Sequence, residues 1–191
     1  GPMCRTVEDA GLLFDVLRGR TSANWTSHLG AAPRDIRGMT FGRLGGGDLA
    51  LASNEMIAAF NTATAQLERL GATIVDVDLG ISADEMGVLV GQIIGIEGYS
   101  WVGDLVDDPN SPVDPDIRPR IHVGKGRTAR EYMELLRRRA ELQADVNRRT
   151  QHLDGVLCPG TTSGAPLVAD IDQNTSPATY TRYVNYMDWC A

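Results

Sequence analysis

The sequence predicts an α/β fold with a mixed, largely parallel sheet flanked by helices. A short apolar run at residues 39–42 is followed by a helical apolar pattern at 53–70 and by β-branched residues at 73–77. A strand, a helix and a second strand in this order form a parallel pair with a right-handed crossover. A third apolar run, at residues 155–158, follows another amphipathic helix and adds a third strand.

The first helix is predicted over residues 6–17. Thr6 is suited to the N-cap position, with Asp9 three residues later, and Gly19 lies where a C-terminal glycine is expected. Its apolar positions recur at helical spacing and predict one apolar stripe, formed by Leu12, Leu13, Val16 and Leu17.

Three longer helices are predicted at residues 53–70, 83–106 and 129–152. The second is apolar and interrupted by glycines, which indicates burial on much of its circumference and a bend near residues 91–98. The third opens with the capping box of Thr128 and Glu131. Its buried side is predicted to be Tyr132, Leu135, Leu136, Leu142 and Val146, and its solvated side Arg137, Arg138, Arg139, Glu141, Arg148 and Arg149.

Three other segments indicate loops. Residues 20–37 are rich in small and polar residues and indicate a surface loop. Residues 45–47 are three glycines, but they lack the spacing of a dinucleotide fingerprint and the lysine of a phosphate loop, so a flexible connection is predicted. Residues 107–119 contain four prolines and predict a long exposed connection.

Composition restricts the classes of partner. The formal net charge of −7 argues against a nucleic-acid or anionic-membrane surface, and no apolar run is long enough to cross a bilayer, so a cytoplasmic protein is expected. Cys4, Cys158 and Cys190 are widely spaced and form no disulfide framework. They are predicted to be small buried thiols in a reducing compartment.

The opening residues, GPMCRTVEDA, resemble a segment of the amidase signature family that follows the glycine- and serine-rich signature region. Residues 154–166 are similar to a strand and loop that help to form the family's acyl pocket, and residues 180–191 resemble a segment near its end. The resemblance therefore implies a single partial domain, residues 1–191, downstream of the catalytic signature. The alternative is an ordinary capped helix behind a Gly-Pro protease remnant.

The resemblance implies hydrolysis of a carboxamide C–N bond through a serine acyl-enzyme, with this chain supplying scaffold and pocket wall. The family uses a serine nucleophile, a second serine in a cis peptide bond and a lysine; no such constellation is found in this sequence, so no catalytic residue is assigned. The expected substrate-binding residues are Cys158, Gly160, Thr161 and Thr162. The implied partners are a small-molecule amide and the missing N-terminal half of the domain; a homo-oligomer stays open, and no cofactor or metal is expected.

Other functions are weighed against this one. A truncated or split paralogue would act without catalysis, as an amidotransferase-A-like scaffold or as an interaction subunit. An unrelated α/β hydrolase would need a Gly-x-Ser-x-Gly elbow, which the sequence lacks. Solvated charge accounts for the pairs Asp107 with Asp108 and Asp76 with Asp78. The histidines His28, His122 and His152 are scattered without ligand-spaced partners, so no metal site or activated Cys158 nucleophile is predicted.

Overall fold

The computed structural model describes residues 2–19, 35–171 and 178–189 and divides the chain into two compact units, Gly1–Arg37 and Gly38–Ala191. In chain order, the elements are α1 (Val7–Leu17), β1 (Thr40–Leu44), α2 (Gly46–Leu49), α3 (Asn54–Arg69), β2 (Thr73–Val77), α4 (Ala83–Asp107), α5 (Arg118–His122), α6 (Ala129–Thr150), β3 (Gly155–Leu157), a 3-10 turn (Val168–Asp170) and α7 (Thr179–Met187).

The first unit contains α1, which begins as predicted. The Thr6 hydroxyl accepts a hydrogen bond from the Asp9 amide at 3.1 Å. The apolar stripe of α1 is largely exposed, because the described residues of this unit contain no second element to cover it, and Leu17 is 71 % exposed. Cys4 is also exposed, so its prediction as a buried thiol is wrong. The predicted loop at residues 20–37 lies mostly outside the described residues.

The second unit is built on a three-stranded parallel sheet in the order β2-β1-β3, as the sequence predicts. Thr40 lies opposite Thr73, and Phe41 lies opposite Gly155. Asp154 extends the pairing before β3: its carboxylate accepts from the Thr40 amide at 2.7 Å, and its own amide donates to the Thr40 carbonyl at 2.8 Å. The predicted α/β architecture is therefore confirmed.

The core lies where α7 packs along α4 beside the sheet. The sequence analysis assigned no helix to residues 179–187, yet the three tyrosines of α7 are the largest fully buried side chains in the described chain. The main core side chains are Leu44, Leu79, Met86, Val146, Tyr180, Tyr183 and Tyr186.

Helix α4 departs from the prediction in two respects. Its non-helical residue is Val102, with φ −127° and ψ 18°, so the expected bend at residues 91–98 is wrong. The glycines there serve close packing instead, since a Cβ on Gly95 would lie 3.0 Å from the Arg120 carbonyl oxygen. The helix is also less enclosed than predicted, with Trp101 87 % exposed. Across the described residues, no helix combines the length and the apolar character needed to span a membrane.

Helix α6 carries the predicted capping box between Thr128 and Glu131. One residue of its predicted solvated face is instead an anchor. The Arg139 guanidinium donates to the Tyr186 carbonyl at 2.8 Å and contacts the Asp188 carboxylate at 2.6 Å. These contacts satisfy the terminal carbonyls of α7, where Asp188 adopts a left-handed conformation with φ 56°.

The proline-rich connection ends sooner than predicted, because Pro119 lies in the first turn of α5, where its missing N–H is tolerated. Asp107 is not simple solvated charge. Its carboxylate accepts a hydrogen bond from the Tyr99 hydroxyl at 2.8 Å and contacts His122 Nε2 and Lys125 Nζ, both at 3.0 Å. The Tyr99 hydrogen bond and the Lys125 contact lower the Asp107 pKa to about 2.

The triple glycine is also more regular than predicted. Residues 46–49 form the single turn α2, and Gly46 adopts φ 55°, a backbone conformation that glycine reaches without strain. Asp48 then receives a hydrogen bond from the Ala83 amide on its carboxylate at 2.8 Å and one from the Tyr180 hydroxyl on its carbonyl at 2.7 Å. The segment that follows β1 is thereby tied to α4 and α7.

The approach of α5 to α4 generates a stability prediction. A Cβ at Gly124 would overlap the Gly95 carbonyl, a backbone group that cannot rotate away. Gly124→Ala is therefore expected to lower the free energy of unfolding by about 1–3 kcal/mol, the range for forced overpacking. Gly91→Ala is the matched control, because its Cβ would meet open space, and the exchange in a helix interior should add about 0.5–1 kcal/mol. Urea titration followed by circular dichroism measures both; equal stability of the two variants would contradict this packing.

Candidate functional site

The carboxyl ends of the three parallel strands lie at one edge of the sheet. In open α/β sheets, ligands bind in the crevices outside these strand ends. Two clefts lie among the residues at the ends of these strands. One runs along β3, from Leu153 and Asp154 before the strand to Cys158 after it, and the other adjoins the segments that follow β1 and β2.

The cleft beside β3 has a volume of about 620 Å³. It is formed by the last turns of α6, by β3 with the residues just before and after it, and by the C-terminal half of α7 with the two residues that follow it. The lining residues that matter for its chemistry are Asn147, Cys158, Tyr183, Asp188 and Trp189.

Cys158 lies half-buried in this cleft, and its thiol interacts with the Tyr183 hydroxyl. Trp189 packs edge-on against Tyr183, with ring centroids 6.3 Å apart and an interplanar angle of 79°. The Trp189 indole donates to Asn147 Oδ1 at 3.0 Å, which orients the ring. The thiol therefore faces an aromatic wall braced by α6.

The surroundings of the Cys158 thiol and the Tyr183 hydroxyl favour the neutral form of both groups. Burial raises the pKa of the Cys158 thiol, and the Tyr183 hydrogen bond only partly opposes that shift. Burial, followed by the nearby Cys158 sulfur, raises the pKa of Tyr183 as well. A cysteine nucleophile needs a lowered pKa and an adjacent base. Cys158 thus supplies a small, neutral surface to the cleft.

The four predicted substrate-binding residues are not gathered in one cleft. Cys158 lines the cleft beside β3, whereas Gly160, Thr161 and Thr162 are not among its lining residues. The Thr161 hydroxyl donates to the Ser163 carbonyl at 2.8 Å. The Thr162 carbonyl accepts from the Ser53 amide at 2.7 Å, which ties the loop to the start of α3. Contact of these residues with substrate stays a prediction.

The second cleft, of about 780 Å³, is acidic. It is lined by the glycines of residues 45–47 and by four carboxylate residues, Asp48, Asp76, Asp78 and Glu85. Three of these carboxylates already accept hydrogen bonds: Asp48 from the Ala83 amide, Asp76 from the Arg43 guanidinium and Asp78 from the Gly80 amide, each at 2.8 Å. Over residues 2–19, 35–171 and 178–189, no group of three or more potential ligands has the arrangement of a metal site.

Sequence reasoning missed the aromatic wall. Tyr180, Tyr183 and Tyr186 recur every third residue, a spacing that places side chains on one helix face and could have predicted α7. The pairing of Trp189 with Asn147 had no local signal, because the two residues are 42 positions apart.

The environment of Cys158 predicts its reactivity. A raised pKa leaves little thiolate near pH 7.5, so Cys158 should be alkylated by iodoacetamide at least several-fold more slowly than exposed Cys4. Tyr183→Phe removes the hydrogen bond that lowers the pKa and should slow Cys158 further while leaving Cys4 unchanged. Peptide mass spectrometry over time at pH 7.5 and 9 measures both rates. Faster alkylation of Cys158 than of Cys4 at pH 7.5 would contradict the neutral pair.

Comparison with known proteins agrees with this fold. A curated amidase of Pseudomonas putida is 25 % identical over 166 residues, covering 83 % of this chain and 35 % of that protein. A crystal structure of an amidase superposes with a TM-score of 0.77 at 18 % identity, over 98 % of this chain and 43 % of the other. A 6-aminohexanoate cyclic dimer hydrolase superposes with a TM-score of 0.67, also at 18 % identity, over 96 % of this chain and 45 % of the other.

The chain thus spans about a third of the curated relative and less than half of each of these two structures. The amidase family model matches residues 1–191, from the GPMCRTVEDA segment through the strand ends and α7 to the last residue. The chain belongs to the amidase family.

Proposed function

We propose that this chain forms one wall of an amidase active site that hydrolyses a carboxamide C–N bond through a serine acyl-enzyme. The observation that carries the proposal is the cleft beside β3, which has an ordered aromatic wall and a neutral thiol but no activated nucleophile. In this proposal, the nucleophilic serine, the bridging serine and the lysine come from a signature-bearing segment outside these 191 residues.

The proposed reaction has two steps. The serine oxygen attacks the amide carbonyl and the C–N bond breaks, with a proton passing to the departing nitrogen; water then cleaves the ester to release a carboxylic acid and free serine. The residues of this chain take no chemical step in this reaction; they contribute by lying around the acyl group. Cys158 contacts the acyl group, and the loop of Gly160, Thr161 and Thr162 borders it, steadied by the Ser53 amide that donates to the Thr162 carbonyl.

Uncovered surface supports an incomplete site. In the order β2-β1-β3, both outer strands have an edge with no partner strand among the described residues. Large apolar side chains are also exposed along α4, including Trp101 at 87 % and Leu105 at 54 %. Soluble monomers seldom leave edge strands and contiguous apolar patches uncovered, so a further segment is expected to pack here.

A second candidate function is that of a non-catalytic scaffold or interaction protein. It is favoured by the likeness to one component of the glutamyl-tRNA(Gln) amidotransferase of Thermotoga maritima, with a TM-score of 0.54 at 19 % identity over 80 % of this chain and 34 % of the other. In this case the chain would bind its partner through the same uncovered edges and contribute no substrate contact.

A complementation experiment tests the first function. Residues 1–191 are produced alone and together with a signature-bearing amidase segment, and hydrolysis of hexanamide is followed by ammonia release. The isolated chain should show no turnover, because losing even one oxyanion donor costs about 100- to 1000-fold and the whole catalytic set is absent. Activity should appear on mixing. Light scattering should give a mass above 20.6 kDa for the isolated chain, as expected for exposed apolar surface.

Turnover by the isolated chain that persists after treatment with a serine-reactive inhibitor would overturn the proposal. Formation of a stable complex without turnover, using a signature segment that is active with its own partner half, would favour the scaffold function instead.

The loop after β3 is expected to set substrate preference. Thr161→Val removes the hydroxyl that donates to Ser163 and should change the ratio of kcat/KM for hexanamide over acetamide by about threefold to tenfold in the mixed enzyme. Thr62→Val is the matched control, because its hydroxyl also donates to a backbone carbonyl but lies on exposed α3. An identical ratio in both variants would show that the loop points away from the substrate.

A further inference from the structure

A groove on the second unit lies apart from both clefts at the strand ends. It runs between α4, α5 and the first half of α7 and has a volume of about 650 Å³. Glycines form part of its α4 wall, and Val88, Ile94 and Val123 give it apolar sides. The missing side chains at Gly87 and Gly91 create the space.

Arg182 of α7 lines this groove and is half-buried. Its aliphatic stem packs on α4, with Cδ 3.7 Å from the position that a Cβ would take on Gly87. Another partly buried arginine of this unit has a defined anion, as Arg139 has Asp188. Within the part of the chain that the structure describes, the Arg182 guanidinium has no hydrogen bond or ion pair. A partly desolvated cation without an anionic partner is unfavourable, and a bound anion removes that cost.

Other polar groups of the groove suit the same kind of ligand. Gln92 adds a neutral amide that can donate a hydrogen bond beside Arg182. The groove thus places the Arg182 cation and an amide donor directly beside apolar surface.

We propose that this groove binds the carboxylate of a small organic acid with an apolar tail. Arg182 binds the carboxylate, for which the planar guanidinium offers two parallel donors. The tail lies over Gly91 and contacts Ile94 and Val123. Binding at this site does not require amide hydrolysis, so it can be tested independently of the proposed amidase activity.

Binding is tested on the 191-residue chain with hexanoate as the probe and isothermal titration calorimetry as the readout. Hexanamide, which keeps the tail and lacks the charge, should bind at least tenfold more weakly than hexanoate, since a hydrogen bond to a charged group contributes more than a neutral one. Arg182→Gln keeps most of the stem and should weaken hexanoate binding by about tenfold to a hundredfold. Arg137→Gln, on the exposed face of α6, is the matched control and should leave it unchanged.

A second variant tests whether binding requires the open space over Gly91, in addition to the charge of Arg182. Gly91→Leu places a side chain where a Cβ meets no atom within 4 Å, so it should fill the groove without disturbing the fold. Hexanoate binding should fall by at least tenfold, while the melting temperature stays equal or rises because leucine is the better helix former. This outcome separates loss of the site from loss of structure.

The acid could be the amidase's own product or an unrelated metabolite, and inhibition of the mixed enzyme distinguishes them. Because the groove lies apart from the strand-end clefts, non-competitive inhibition of hexanamide hydrolysis by hexanoate that Arg182→Gln relieves identifies the product acid, and an absence of inhibition identifies an unrelated acid. Equal binding of hexanoate and hexanamide, or unchanged hexanoate binding in both Arg182→Gln and Gly91→Leu, would overturn the proposal.

Discussion

The burial of the α7 tyrosine row is the interaction on which the second unit depends. Tyr180, Tyr183 and Tyr186 are each no more than 1 % exposed, and side chains of this size dominate the burial of apolar area in a small core. Each also reaches a different neighbour: the Tyr180 hydroxyl donates to Asp48 after β1, Tyr183 bonds Cys158 after β3, and the Tyr186 carbonyl accepts from Arg139 of α6. One short helix therefore fixes the sheet edge, the β3 cleft and α6 together.

The two sides of α7 differ in their chemistry because their polar groups are satisfied differently. On the β3 side, burial raises the pKa of both Cys158 and Tyr183, so under the proposed function the cleft there would select by shape and apolar contact. On the α4 side, Arg182 is half-buried over Gly87 without a partner among the described residues. The same helix can thus line a neutral cleft on one side and supply a cation to a groove on the other.

What the sequence could predict was local. The N-caps at Thr6 and Thr128, the helical periodicities and the parallel sheet are encoded within short windows, and the structure has them where expected. The failures involve distant partners. From the sequence alone, the proline-rich segment was predicted to be exposed to solvent. In the structure, His122 contacts Asp107, which lies 15 residues earlier in the chain. Arg139 was likewise predicted to lie on a solvated face. In the structure, it donates a hydrogen bond to a carbonyl of α7 that is 46 residues away in the sequence.

The candidate site shows the same division. The position of Cys158 at a strand end was predictable from the β3 pattern and the resemblance of the following loop. Its chemistry was not, because the pKa of the thiol depends on burial beneath Tyr183 of α7, a helix that the sequence analysis did not assign. Likewise, the glycines of α4 suggested a bend, whereas Gly95 accommodates the α5 backbone and Gly87 the Arg182 stem. A glycine pattern alone does not distinguish flexibility from close approach; only the partner across the contact does.

Under the proposed function, this chain supplies one wall of the active site and no nucleophile. Its residues are therefore expected to tolerate substitution to different degrees. Residues that touch the substrate need only shape and neutrality, so Cys158 could be replaced by another small apolar residue at little cost to chemistry. Residues that position the wall have less freedom: removal of the Arg139 guanidinium leaves the terminal carbonyls of α7 with fewer donors and loosens the helix that carries Tyr183 and Arg182. Arg139 of α6, which contacts neither proposed ligand, therefore supports both the cleft and the groove through α7.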